Sequence, residues 1–227
     1  MPRKKHIGLM LWFVLTAGQL SAQTIYEYSS SDATMYFFDK SLSQYIPHIT
    51  RQYQNARHLH SDLWHLPLAD GDDKIQPPMM LITDWEDDGN GGASAIPANI
   101  ISIGMAPLNF SYNISPSTER YHHLFTHEYT HTVTTDHAAR RDRMWRRFTG
   151  GKFVVDDAHP FSALWSYLGA PRWYAPRWYH EGIACFMETW MGGGVGRALG
   201  GYDEMYFRSL VNEGKMLYSV VGLETSK

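Results

Sequence analysis

Apolar residues recur along the chain with two periods. Over residues 34–38 apolar and polar side chains alternate with an aromatic weighting, which predicts a short strand. Across residues 41–63, Leu42, Tyr45, Ile46, Ile49, Tyr53, Ala56 and Leu59 return every three or four positions and predict a helix. Pro47 pushes its start later, because a helix interior has no place for the proline ring. Residues 66–78 are polar and punctuated, a loop. Two brief apolar runs, 79–83 and 96–105, predict strands, and the acidic, glycine-rich segment 84–92 between them predicts a turn. A helix is expected from the Ser115-Pro116-Ser117 segment to Asp136, with Ser117 as its N-cap and Glu119 and Arg120 in its first turn. The basic stretch 140–147 predicts a solvated turn leading into an aromatic, proline-rich connection. That connection holds an echo, Pro171-Arg172-Trp173-Tyr174 and Pro176-Arg177-Trp178-Tyr179. Another helix is predicted from Pro176 or Arg177 to Trp190, ended by the glycines at 192–194, and a last one over residues 203–212. Strands and a helix followed by helices alone make the expected fold class α+β.

The N-terminus carries a different pattern. Arg3, Lys4 and Lys5 precede an apolar run over residues 7–20, which closes on Leu20-Ser21-Ala22. That is the pattern of a secretory signal peptide, with cleavage expected after Ala22 and export to the periplasm or the medium. The run is short for a membrane span and is interrupted by Gly18, Gln19 and Ser21. No cysteine follows the expected cut, so no lipid anchor is expected, and membrane contact is not expected either. Residues 23–227 would form one domain. The whole chain has a formal charge of −3. Losing three basic residues and no acid makes the remainder more negative, which argues against a nucleic-acid partner. Cys185 is the sole cysteine, so no internal disulfide can form, and stability must come from packing of the many aromatic residues and from metal.

Metal enters through His127-Glu128-Tyr129-Thr130-His131. Four residues along a helix return a side chain to within about 40° of the first, so both imidazoles can reach one ion. Glu128 lies about 100° from His127, beside the metal, where it can take a proton from water. A catalytic zinc wants three protein ligands and one open position. Glu181, in Trp178-Tyr179-His180-Glu181-Gly182-Ile183-Ala184, supplies the third from a second helix, where Gly182 and Ala184 are expected to permit close packing. The alternative for Glu181 is a solvent-facing carboxylate near a helix N-terminus.

The two motifs together resemble the gluzincin zinc metallopeptidases. Among these are the aminopeptidase N-like enzymes and, more closely, the bacterial peptidase MA-like domains often joined to a TolB-type β-propeller. The resemblance runs from Gly92-Ala93-Ser94 to Tyr202 and Arg208. It implies a zincin-like fold, a small mixed sheet packed on an active-site helix and a second ligand-bearing helix. It implies Zn2+ held by His127, His131 and Glu181, with Glu128 as general base in hydrolysis of a peptide or protein substrate. It further implies that Asp136 orients a ligand histidine, an ordinary helix-end carboxylate being the alternative. Tyr202 or Tyr206 would stabilise the oxyanion, and the preferred alternative is two aromatic core residues. The chain departs from the aminopeptidase pattern at His180, where those relatives carry asparagine, and it has no Gly-x-Met-Glu-Asn loop. An endopeptidase or an unusual substrate is therefore expected. Family domains usually extend past the point that corresponds to Lys227, which leaves a truncated C-terminus open as a third reading. The competing readings are a zinc-binding module without hydrolysis and an inactive fragment.

Weaker signals receive blander readings. Asp84-x-Glu86-x-Asp88-Gly89 imitates a calcium loop but has Ala95 where a bidentate glutamate should stand, so a plain acidic turn is expected. His123, one turn before His127, could assist capture of substrate or metal, the preferred reading being a partly exposed helix histidine. The group His58, His60 and His65 receives no function. The arginines of 140–147 could hold an anionic lipid or an acidic substrate, a solvated turn being preferred. The 96–105 strand is expected to form the upper rim of the cleft, where an extended peptide would add to it.

Overall fold

Alternation of buried and exposed positions builds a five-stranded sheet. β1 is Tyr26–Ser29, β2 Thr34–Phe37, β3 Met79–Thr83, β4 Gly91–Ser94 and β5 Ile100–Gly104, in the order β1-β2-β3-β5-β4. β2, β3 and β5 run parallel, while β1 and β4 flank them antiparallel. The register aligns Met35, Met80 and Ile101 in one row and Phe37, Ile82 and Ile103 in the next, all buried. These two rows form the apolar face of the sheet. The computed structural model describes residues 24–64, 77–85, 87, 89–106 and 119–215, with only the backbone of Tyr202 and Asp203. The expected signal peptide, nearly all of the 66–78 loop, and Ser117 lie outside the described residues.

Among the described residues six α-helices follow: α1 Ile46–Trp64, α2 Arg120–Asp136, α3 Arg140–Thr149, α4 Phe161–Gly169, α5 Arg177–Met191 and α6 Gly201–Asn212. The fold is thus α+β, as its sequence pattern implies. Ile46, Ile49 and Tyr53 of α1 and Phe125, Tyr129 and Val133 of α2 pack on the two sheet rows in one core. Tyr53 meets the rings of Phe125 and Tyr129 edge-on, each at 5.7 Å. Burying each such side chain stabilises by about 1.5–3 kcal/mol.

Helix α2 is buried along most of its length although it is rich in threonine, a weak helix former. The hydroxyls explain how it survives. Thr130 donates to the Thr126 carbonyl at 2.6 Å, Thr134 to Thr130 at 2.8 Å and Thr135 to His131 at 2.6 Å. These three hydroxyls are thereby satisfied by their own helix, and packing on both flanks supplies the remaining stability.

Several expectations are corrected. The first helix starts at Ile46, later than residue 41 as Pro47 implied, after a 3-10 turn over Lys40–Gln44, with Pro47 in its first turn, where a missing N–H costs nothing. Gly91–Ser94 is a strand, not part of a turn, because pairing with β5 recruits residues of poor intrinsic strand preference. β5 begins at Ile100, since Pro97, lacking an N–H, interrupts the ladder before it. The edge of the sheet is therefore β4, and the 96–105 run forms the strand one place inside it. The basic stretch is helix α3, closed by Gly150 at φ 79°, and the aromatic connection contains α4. α2 starts at Arg120, with Glu119 in the N-cap position.

His60 braces α2 from behind. The Trp64 indole N–H donates to its Nδ1 at 3.2 Å, so Nε2 carries the proton and faces the Thr126 carbonyl at 3.2 Å. Burial pushes its pKa down to about 4, against a smaller upward pull from that carbonyl. The unfolded chain binds a proton near pH 6.5, which the folded chain resists until about 4. Stability from this residue is thus complete above pH 6.5 and is lost as the pH falls toward 4, by ~3 kcal/mol in total. Urea unfolding of wild type and His60→Gln at several pH values should show the wild-type advantage shrinking across that window. Parallel pH profiles for the two proteins would refute this role.

Candidate metal centre

The helical period divides α2 among three neighbours. Phe125, Tyr129 and Val133 enter the core, His127 and His131 turn toward α5, and Glu128 lies beneath β4. Helix α5 answers with Glu181, Ala184 and Glu188, three, four and seven residues apart and so on one face. Ala184 is fully buried where the helices meet. Gly182 has no such role: it is exposed, and a Cβ there would meet open space.

Three donor atoms converge. His127 Nε2 and His131 Nε2 are 3.2 Å apart, and Glu181 Oε2 lies 3.4 Å from the first and 3.8 Å from the second. Donors held at 2.0–2.2 Å around a tetrahedral cation stand about 3.3–3.6 Å from one another. The observed separations lie within about 0.2 Å of that range, and two imidazoles with one carboxylate are a donor set suited to zinc. The three sequence-predicted ligands are thus brought together, with the predicted base beside them.

The other face of His127 is equally defined. Its Nδ1 lies 2.8 Å from Glu188 Oε2, and Glu188 is held by Arg197 through Nε to Oε1 at 2.8 Å and Nη2 to Oε2 at 2.6 Å. Arg197 Nη2 also lies 2.6 Å from His127 Nδ1. That nitrogen can donate to the carboxylate or accept from the guanidinium, not both. A cation on Nε2 requires the proton on Nδ1 and so selects the bond to Glu188. Gly193 at φ 70° and Gly194 at φ 86° turn the chain after α5, so that Arg197 folds back onto Glu188.

The close packing of ionisable groups shifts their protonation. Burial pushes Glu128 up to about 7, helped by the negative Glu181 and Glu188 and opposed by His127 and Arg197. Burial works against a charge on His127, but hydrogen bonds with Cys185, Glu181 and Glu188 outweigh it and raise it to about 11. Burial and the neighbouring His127 charge hold His131 down to about 4. Glu188 lies low, about 2, because Arg197 and His127 overcome its desolvation. A divalent cation at the three donors would compete with these protons and draw Glu128 back down.

The centre opens on a cleft of about 690 Å³. The edge of the sheet from Gly89 to Ala93 forms one wall, α2 the floor, and Trp173, Ala175, Arg177 and His180 the opposite side. The rim is therefore β4, not the 96–105 strand. A side chain at Gly91 would displace the Glu128 carboxylate, since a Cβ there would come within 2.8 Å of Oε1.

The supporting residues differ from expectation. The Asp136 carboxylate receives Asn99 Nδ2 at 2.7 Å, Arg146 Nη1 at 2.9 Å and Lys152 Nζ at 2.9 Å, tying the end of α2 to the sheet and to α3. Glu188 meets His127 instead. Sequence reasoning missed Glu188, although its position two helical turns beyond Glu181 was a usable signal. Arg197 had none, because only the glycine turn brings it back. Tyr206 is largely exposed and lines neither cleft nor core, and the side chain of Tyr202 lies outside the described residues. His123 is buried, not partly exposed, and lines the cleft. Comparison of the chain with protein-family models, with curated proteins and with solved structures gives no significant match.

Glu188→Gln should weaken zinc binding about 10–100-fold, because His127 loses its charged acceptor while Arg197 keeps its charge. Competition against a fluorescent chelator measures this, and unchanged affinity would remove Glu188 from the metal centre.

Proposed function

We propose that this chain is an exported zinc-dependent peptidase that hydrolyses peptide bonds in an extended substrate. The reading is carried by one observation: His127, His131 and Glu181 converge at the spacing of tetrahedral donors, with Glu128 beside them, at the floor of a cleft under a sheet edge. His127, His131 and Glu181 would hold the zinc, which when bound acts as a Lewis acid that polarises the scissile carbonyl and acidifies water.

The chain's own residues supply the rest. β4 pairs only with β5 among the described residues, so its outer edge can take a peptide backbone as an added strand. That places the scissile carbonyl over the imidazole pair. Glu128, held down by the backbone at Gly91, takes a proton from the attacking water. The water oxygen bonds to the carbonyl carbon, the C–N bond breaks, and Glu128 returns the proton to the leaving amine nitrogen. Glu188 and Arg197 keep His127 in one orientation throughout.

Hydrolysis of an unfolded protein should fall by about 10²–10⁴-fold in Glu128→Gln while bound zinc stays stoichiometric. A wild type that binds zinc but cleaves nothing would leave the non-hydrolytic binding module as the correct reading. Gly91→Ala should also lower kcat with zinc retained, since the new methyl group displaces the Glu128 carboxylate. Equal rates in Gly91→Ala and wild type would show that Glu128 does not act from this position.

A further inference from the structure

The face of α2 that carries His127 and His131 continues toward its N-terminus with His123 and Arg120, and both line the cleft. His123 is only 8 % exposed, yet its Nδ1 has no hydrogen-bond partner. Its ring is held in place by close contact with the backbone at Gly192, where a Cβ would come within 2.8 Å of Cε1. Arg120 gives Nη1 to the Met105 carbonyl at 3.1 Å and Nη2 to the Gly104 carbonyl at 2.5 Å, while its buried Nε has no partner. Among the described residues no carboxylate pairs with it, and its guanidinium carbon lies 5.3 Å from the centre of the Tyr121 ring. The two acids whose charge reaches His123 are engaged elsewhere, Glu119 with His48 at 3.4 Å and Glu188 with Arg197. The helix N-terminus adds to the same field, because Glu119 in the N-cap position makes no side-chain cap bond.

A partly desolvated cation and a buried imidazole with one unpartnered nitrogen thus share one end of the cleft, beside the N-terminus of α2. An anionic group at this end of the cleft balances the Arg120 charge and, in the tautomer that protonates Nδ1, gives His123 the acceptor it lacks. We propose that Arg120 and His123 form a carboxylate-binding subsite, which selects peptides carrying an acidic side chain or a free C-terminal carboxylate near the scissile bond. The inference rests on the peptidase reading for the nature of its ligand. Along α2, His123 stands about 6 Å and Arg120 about 10 Å before His127. An extended peptide advances about 3.3 Å per residue, so the recognised carboxylate falls about two or three residues from the reacting carbonyl.

The test uses the full zinc-loaded chain with Glu128→Gln, so that peptides bind without turnover. The probes are acetylated, amidated, fluorescein-labelled peptides differing only by Glu or Gln, together with a peptide pair of alanines ending in a free carboxylate or an amide. Anisotropy should show the Glu peptide or the free-acid peptide binding about tenfold more tightly than its neutral twin. The former result assigns a side-chain carboxylate and the latter a chain terminus. The His123 ring resonances, identified by their loss in His123→Leu, should shift with the favoured probe alone. Arg120→Gln and His123→Leu should each abolish the preference with an unchanged melting temperature. If Arg120→Gln fails to fold for want of its carbonyl bonds, His123→Leu decides. Equal affinity for charged and neutral twins, or a preference that survives His123→Leu, overturns the subsite. Hydrolysis by the Glu128 chain is measured in parallel. Cleavage without any acidic preference sinks the subsite alone, whereas acidic preference without cleavage sinks the peptidase reading alone.

Discussion

His127 is gripped from two sides, and the centre is built around that grip. Its Nε2 faces His131 and Glu181, while its Nδ1 faces Glu188, itself pinned by Arg197. Four charged or chargeable partners around one buried ring are tolerable only because opposite charges are interleaved and hydrogen-bonded. The pairing depends in turn on α5 lying close against α2, which Ala184 permits by being small and buried. Any shift of α5 would separate Glu181 and Glu188 from the histidine together.

The rest of the molecule braces α2 on several sides. Its core side is locked by Tyr53, Phe125 and Tyr129, its back by His60, and its C-terminal end by the buried Asp136 with Arg146 and Lys152. A buried carboxylate at the negative end of a helix is unfavourable alone, and two cations and an asparagine amide offset it. The site residues therefore sit on regular elements with little freedom, as a pre-organised centre requires. On the far side of the cleft β4 brings backbone close to Glu128 at Gly91 and leaves an edge for a peptide.

The sheet and the long helices were legible because each buries one face, and that constraint writes a period into the residues. The strand at residues 79–83 and the helices carrying His127 and Glu181 show this plainly. β4 was not legible: Gly91 and Gly92 have no strand preference, and they extend only because β5 offers open hydrogen-bonding groups. Helix α3 was misread for the opposite reason, since its arginines look solvated until Arg146 is seen to enter the Asp136 cluster.

Sequence alone determined the local part of the site. The spacing of His127 and His131 places two imidazoles on one helical face whatever surrounds them, because the helix repeat is a property of the backbone. It also determined the α+β class. The tertiary structure decided which carboxylates reach those imidazoles, that Glu188 and not Asp136 backs His127, that Tyr206 stays outside the cleft, and that His123 and Arg120 come into it. These depend on how α5 and the turn at residues 192–194 pack against α2. Contacts between distant segments are set by the summed packing of the whole domain, which no local period records.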